Sequence, residues 1–316
     1  MAIVLLVARR TLLSVVTLLL VALIVFSILE VLPGDVATRI LGRDATPEEL
    51  DLLRSELGLD RSAAVRYLDW LGGLITGNLG HSLVSGRPIG EILGPRIFNT
   101  VLLSLFAFVL YLPLTVIPAI TQALTRDRAL DHALSVVTLV LLSMPDFLLA
   151  TILLLTFVLW IPVLPAISLV DKSSSVVEYL RAMTLPAVTL AIVMAVYAVR
   201  MLRDNLIEVL DSDYIRMAEL KGLSRARVLL RHALPNALVP TLNVTALNLA
   251  YLIGGVVVVE KVFSYPGFGS LLVDSLQLRD LPAIEATVMI AALVYVAANL
   301  VADIAAIILN PQLRIG

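Results

Sequence analysis

Long charge-poor runs alternate with short polar stretches along this chain. Residues 11–29 carry no charge, and such a run covers the roughly 30 Å of a bilayer's hydrocarbon core. Arg9 and Arg10 stand immediately before it. The run continues to Leu32 and ends in LPGD, without the short core and small-x-small site of a cleaved signal, so a retained span is expected. A twin-arginine export signal is poorly supported by the flanking residues. Five more apolar runs follow at about 97–124, 133–160, 183–201, 238–259 and 283–309. The pattern predicts six transmembrane helices. Pro113 and Pro118 fall in the second and Pro145 in the third, where kinks are expected.

Lysine and arginine in the short loops set the orientation. With the N-terminus inside, the inner set is Arg9, Arg10, Arg126, Arg128, Arg200, Arg203, Arg216, Lys221, Arg225, Arg227, Arg231 and Arg314, twelve in all. The short outer loops hold Lys172, Arg181, Lys261 and Arg279, four in all. Both termini are therefore expected in the cytoplasm, with 33–96 outside. That outer segment reads as small and helical. Thr46-Pro47-Glu48-Glu49 is a helix start, Leu50, Leu53 and Leu57 follow at helical spacing, and Gly58 ends the helix. A second helix over 63–75 places Val65, Leu68, Leu71 and Ile75 on one face, and Gly77, Gly80, Gly86 and Gly90 mark turns. A cap over the outer mouth and a docking surface for a soluble partner are both open readings.

Composition confirms the membrane class and removes other functions. Of 316 residues, 59% are hydrophobic and 15% charged, against about 25% charged in soluble domains. The net charge of −2 gives no reason to expect nucleic acid. The absence of cysteine removes disulfides, zinc-thiolate sites and thiol nucleophiles. Lys172, Lys221 and Lys261 follow Asp, Leu and Glu, so no phosphate-binding Gly-Lys-Ser/Thr loop is present. His81, His132 and His232 form no metal motif, and no hydrolase signature accompanies the serines.

The inner segment 204–236 is the most patterned. Ile207, Leu210, Tyr214 and Met217 make one apolar helical stripe, Gly222 breaks the helix, and Ser224 is positioned to cap a second short helix that Leu234-Pro235 stops. Arg225, Arg227 and Arg231 lie on its polar side, with Val228, Leu229 and Leu230 among its apolar positions. On the residues alone, an amphipathic hairpin resting on anionic lipid is an equal alternative.

The spacing of this loop resembles the EAA loop of binding-protein-dependent ABC transporter permeases: Glu-Ala-Ala, three residues, Gly, nine residues, Ile-x-Leu-Pro. Here Arg216-Met217-Ala218 precedes Gly222, and His232-Ala233-Leu234-Pro235 follows. Ala218, Gly222, Leu234 and Pro235 match, while Arg216, Met217 and His232 depart. These departures resemble the variant of the dipeptide/oligopeptide/nickel branch. LPGDVA after the first span, LGLDRSAAVRYLDWLGGLITGNLGHS, LSMPDFLLA and VEKVFSYPGFGSLLVDSLQLRDLPAI resemble that branch too, so the likeness runs from about 9 to 311.

The resemblance implies an all-α, type I importer permease fold with six transmembrane helices. Residues 1–93 would form an N-terminal span plus extracytoplasmic segment, and 94–316 a five-span core with the coupling loop. The chain would be no enzyme. It would work in a prokaryotic inner membrane with a second homologous permease, a solute-binding protein and two ATPases that carry ATP and magnesium. Arg216, Met217, Ala218, Glu219, Gly222, Arg225, Leu234 and Pro235 would couple to an ATPase. The implied cargo is a dipeptide or oligopeptide, with nickel or another small solute as an alternative. A self-sufficient secondary transporter or channel is a rival class, though no internal duplication is evident. An intramembrane enzyme or anchor is a third.

Charges inside spans are costly and mark function. Asp146, beside Pro145, is the candidate for contact with a cationic group of the cargo, against a structural role at the kink. Asp303, one turn after Asn299, reads as packing or partner contact. Asn243 and Asn248 are candidate interhelical hydrogen-bond groups. Glu260 is expected to snorkel at the outer end of the fifth span, with no role assigned.

Overall fold

A computed structural model describes residues 2–31, 38, 41, 45–56, 58–168, 175–254 and 256–309. LPGDVA at 32–37, Leu57, Lys172 and Arg314 lie outside these residues, as do the side chains of Leu53, Asn243 and Asp303. Among the described residues the chain is helical, and the one strand-like feature is an isolated bridge between His81 and Pro88. The helices are α1 (Ala2–Val31), α2 (Pro47–Glu56), α3 (Ala63–Thr76), α4 (Ile89–Leu124), α5 (Ala129–Ser143), α6 (Asp146–Leu154), α7 (Val176–Leu210), α8 (Asp213–Leu220), α9 (Arg225–Val228), α10 (Leu234–Gly254), α11 (Val256–Val262), α12 (Phe268–Leu278) and α13 (Leu281–Leu309). Wider π turns follow α6 (Leu155–Trp160) and α9 (Leu229–Ala233).

Four described stretches are long and apolar enough to cross a membrane: Ala8–Val31, Ile89–Leu124, Val176–Leu210 and Leu281–Leu300. A fifth counts if α5 and the α6 segment are one broken span. The expected third span is not one helix, because its halves bend by 111°. Met144, just before Pro145, is extended at φ −87 and ψ 131, as the proline ring requires of its predecessor. By contrast α4 keeps helical turns through Pro113 and Pro118. The expected span at 238–259 falls on α10 and α11, on either side of the undescribed residue 255.

The chain divides into two compact units, 1–97 with 271–316 and 98–270. In the first, α13 packs along α1, and α3 packs on α1 through Phe26, Tyr67 and Trp70. Arg66 pairs with Glu30. Thr46 and Glu49 exchange hydrogen bonds in a capping box that opens α2 and holds the Glu49 carboxyl below its usual range, chiefly through the Thr46 N–H. Gly77 closes α3 at φ 80. Gly90 is no turn residue: it lies in the first turn of α4. The inward face of α3 is formed by Tyr67, Trp70, Leu71 and Leu74, which are half-buried, while Val65, Leu68 and Ile75 are exposed. Nearby, the Asp280 carboxyl accepts from the Ser82 hydroxyl and, at 3.0 Å, from the Leu83 N–H, which fastens the 80–88 turn.

In the second unit α7 is the core helix. Ala182, Ala187, Ala191, Ala195 and Ala198 are buried on it and let α5, α6, α10 and α11 approach closely. Asn248 Nδ2 donates to the Met194 carbonyl at 3.0 Å, an interhelical bond of the expected kind.

Candidate functional site

The patterned segment forms a knob beyond the end of α7. Its stripe does not continue as expected. α7 ends at Leu210, and Ser212 starts α8 in an extended conformation, φ −74 and ψ 151. The break turns α8, so Ile215 and Ala218 face inward and Tyr214, Met217 and Leu220 face out. Met217 is 55% and Leu220 77% exposed. Gly222 closes the helix at φ 78, a conformation that costs a side chain about 1–2 kcal/mol. The Gly222 N–H donates to the Glu219 carbonyl at 2.9 Å and the Leu223 N–H to Ala218 at 3.3 Å.

Ser224 occupies the N-cap of α9, with no cap bond from its side chain. The second helix does not stop at Leu234-Pro235. It widens through the π turn and re-enters α10, where Pro235 sits in the first turn and its missing N–H is harmless. Val228, Ala233 and Ala237 are buried beneath. Tyr214 bridges the two arms: its hydroxyl donates to the His232 carbonyl at 2.9 Å, and Asn236 Nδ2 donates to the same hydroxyl at 2.9 Å. Of the predicted residues, Arg216, Met217, Glu219, Gly222, Arg225 and Pro235 are exposed, Ala218 is buried and Leu234 half-buried, all on this knob. Asp146 belongs elsewhere, at the first residue of α6, where its carboxyl suits the helix N-terminus.

The knob's root is braced by charge. Arg203 near the end of α7 grips Asp131 at the start of α5 with Nε–Oδ1 2.9 Å and Nη2–Oδ2 2.7 Å. Asp131 is 1% exposed and also accepts from the Asp127 N–H at 3.1 Å. Arg126 reaches Asp211 at 2.8 Å. A pocket of about 400 Å³ opens here, lined by Arg126, Asp127, Arg203, Asp204, Ile207 and Glu208. Sequence reading placed these arginines only as loop charges. Nothing local marks Asp131 as the partner of a residue 72 positions away.

Glu260 is the second residue missed. It does not snorkel: it is wholly buried. Its carboxyl accepts from the Thr100 hydroxyl at 2.5 Å and the Ser270 N–H at 2.8 Å. The chain wraps it so tightly that a Cβ on Gly267 would lie 1.9 Å from Oε1. The Phe268 N–H donates to Thr100, the Tyr265 hydroxyl to the Asn99 carbonyl and Asn99 Nδ2 to the Pro266 carbonyl, each at 2.8 Å. Tyr179 donates to Asn99 Oδ1 at 3.1 Å. Burial, reinforced by Tyr179, pushes the Tyr265 phenol up and keeps it a donor. The signal was present as glycines at 267 and 269 beside a lone acid, an arrangement in which backbone approaches a side chain closely.

Comparison with known proteins bears on both regions. Residues 112–315 match the model of the binding-protein-dependent transport system inner membrane component, and residues 3–88 match the model of its N-terminal part. The "Putative peptide transport system permease protein" of Brucella abortus is 36% identical over 309 residues, covering 98% of each chain. The "Probable peptide ABC transporter permease protein" of Sinorhizobium fredii is 33% identical over 306 residues, covering 97% of this chain and 98% of its own. The glutathione transport system permease protein of Salmonella choleraesuis is 34% identical over 308 residues, covering 98% of each. Two family models and near full-length relatives agree with the apolar helices: the chain is a multi-pass membrane protein of the family of binding-protein-dependent transport system inner membrane components.

Proposed function

We propose that this chain is a permease subunit of a peptide-type ABC importer, passing dipeptides or oligopeptides delivered by a solute-binding protein. The names of its relatives support the peptide class. The chain performs no covalent chemistry. Two ATPase subunits, holding ATP and magnesium, drive it, and a second homologous permease completes the path. It crosses a prokaryotic inner membrane six times with both termini in the cytoplasm. Residues 1–93 supply the first span and the outer segment, and 94–316 the five-span core.

One observation carries the coupling role: α8 shows Met217 and Leu220 to the outside while Ile215 and Ala218 tie it to the body. An apolar face on a braced helix suits a protein groove, and the bracing lets a push reach α7 instead of being absorbed. Arg216, Glu219 and Arg225 lie around that face as rim charges, each pair adding about 0–1 kcal/mol, so apolar burial dominates. Gly222 sets the turn, and Leu234-Pro235 joins it to α10. Asp146 serves the path by meeting the cationic end of a peptide.

The test is reconstitution with two ATPase subunits, a second homologous permease and a solute-binding protein. ATP-dependent peptide uptake is expected, and Leu220→Asp is expected to abolish its stimulation of ATP hydrolysis. Uptake by this chain alone on an ion gradient, indifferent to ATPases, would overturn the reading. Asp146→Asn is expected to change cargo preference more than assembly. Identical transport of charged and neutral cargo would remove its assignment.

A further inference from the structure

Helix α3 has more apolar circumference than α1 covers. At 100° per residue, Thr76, Asp69, Gly73 and Arg66 fall within one sector of about 80°, and almost everything else on the helix is apolar. One apolar arc, through Tyr67 and Trp70, is packed on Phe26 of α1 with ring centroids 5.3 and 6.0 Å away. The other arc, through Val65, Leu68 and Ile75, is left open among the described residues: Val65 is 39%, Leu68 64% and Ile75 79% exposed.

The depth of that arc is fixed by α1. Its charge-free run begins at Thr11, and about 20 residues at 1.5 Å each reach the far edge of a 30 Å core near Glu30. Phe26 lies four residues short of that point, about 6 Å inside the hydrocarbon. Rings in contact with Phe26 therefore sit at the boundary, the level that tyrosine and tryptophan favour. The Arg66–Glu30 pair ties the helix to the same level, where an ion pair reaches headgroup water.

We propose that α3 is an interfacial helix, and that bilayer lipid covers its Val65, Leu68 and Ile75 arc as a continuation of the lipid contact of α1. The narrow polar sector, with Asp69 paired to Arg61 at 2.6 Å, faces water. The segment after the first span then lies against the membrane along α3, not free above it.

The chain has no cysteine, so single spin labels report cleanly. Leu68→Cys, Ile75→Cys and Thr76→Cys of the full chain are labelled with a nitroxide in lipid nanodiscs. Collisions with oxygen, which concentrates in lipid, are compared with those of a water-soluble nickel chelate. The oxygen-to-chelate ratio is expected to be several-fold higher at 68 and 75 than at 76. Free access of the chelate to 68 and 75 would overturn the proposal by placing the arc in water. Shielding from both reagents would overturn it in favour of a protein partner. Trp70 and Trp160 are the only tryptophans, so Trp160→Phe keeps every residue of α3 native. In that variant, brominated acyl chains are expected to quench Trp70, with greater loss for bromines near the headgroup; no quenching would count against the proposal.

Discussion

The Glu260 knot and the α8 knob lie at the two ends of α7, whose 35 residues span about 50 Å. They invert the usual distribution of polarity. The knot buries a carboxyl and the Tyr265 phenol and joins them to half-buried Asn99, Thr100 and Tyr179 through internal hydrogen bonds. The knob turns Met217 and Leu220 outward and keeps alanines and a valine inside. A buried polar network is costly to disturb and fixes one geometry. An exposed apolar face costs little to alter in the isolated chain and matters when something covers it. One end is built to stay in place, the other to be held.

This contrast can be broken in order of size. Glu260→Ala removes the acceptor of the Thr100 O–H and of the Ser270 N–H and leaves a void, a loss of about 3–6 kcal/mol. Thermal unfolding of the purified chain in lipid should show it, with transport failing only as a consequence. Asp131→Ala takes two hydrogen bonds from the Arg203 guanidinium, which is 22% exposed and keeps Asp204 at 2.9 Å, a loss of about 1.5–3 kcal/mol. The same melt measures it. A change near zero would mean that the root of the knob is solvated and not braced. Leu220→Asp forfeits about 1.5–3 kcal/mol of burial in a partner groove, tenfold or more in ATPase affinity, with the melt unchanged. Binding titrations with the ATPase read this directly, and a large fall in the melting temperature would show that α8 belongs to the core. Gly222→Val strains the turn by about 1–2 kcal/mol. Insertion should persist while stimulated ATP hydrolysis drops.

What the sequence revealed and what it hid divide along the range of the interactions. The start of α2 was readable because Thr46, Pro47 and Glu49 act on each other within one turn. The break at Gly222 was readable for the same reason. Prolines were not equally readable. Pro145 separates two helices by 111°, while Pro113 and Pro118 sit inside α4, and the outcome depends on which neighbours accommodate the lost bonds. Pro235 misled because a proline that ends one helix and one that begins another look alike until the π turn before it is seen. Glu260 was misplaced because its Thr100 partner is 160 residues away. Which face of α3 turns inward was not readable, because both of its arcs are apolar and the contact with Phe26 of α1 lies outside the helix's own pattern.

The contact between Gly267 and Glu260 constrains how this chain can drift over generations. Neither position is free to change by itself: a methyl group at 267 collides with the acid, and a shorter residue at 260 abandons its donors. A descendant in which 267 has gained a side chain should therefore have exchanged 260 as well, and the intermediate with one change would be the less fit of the three.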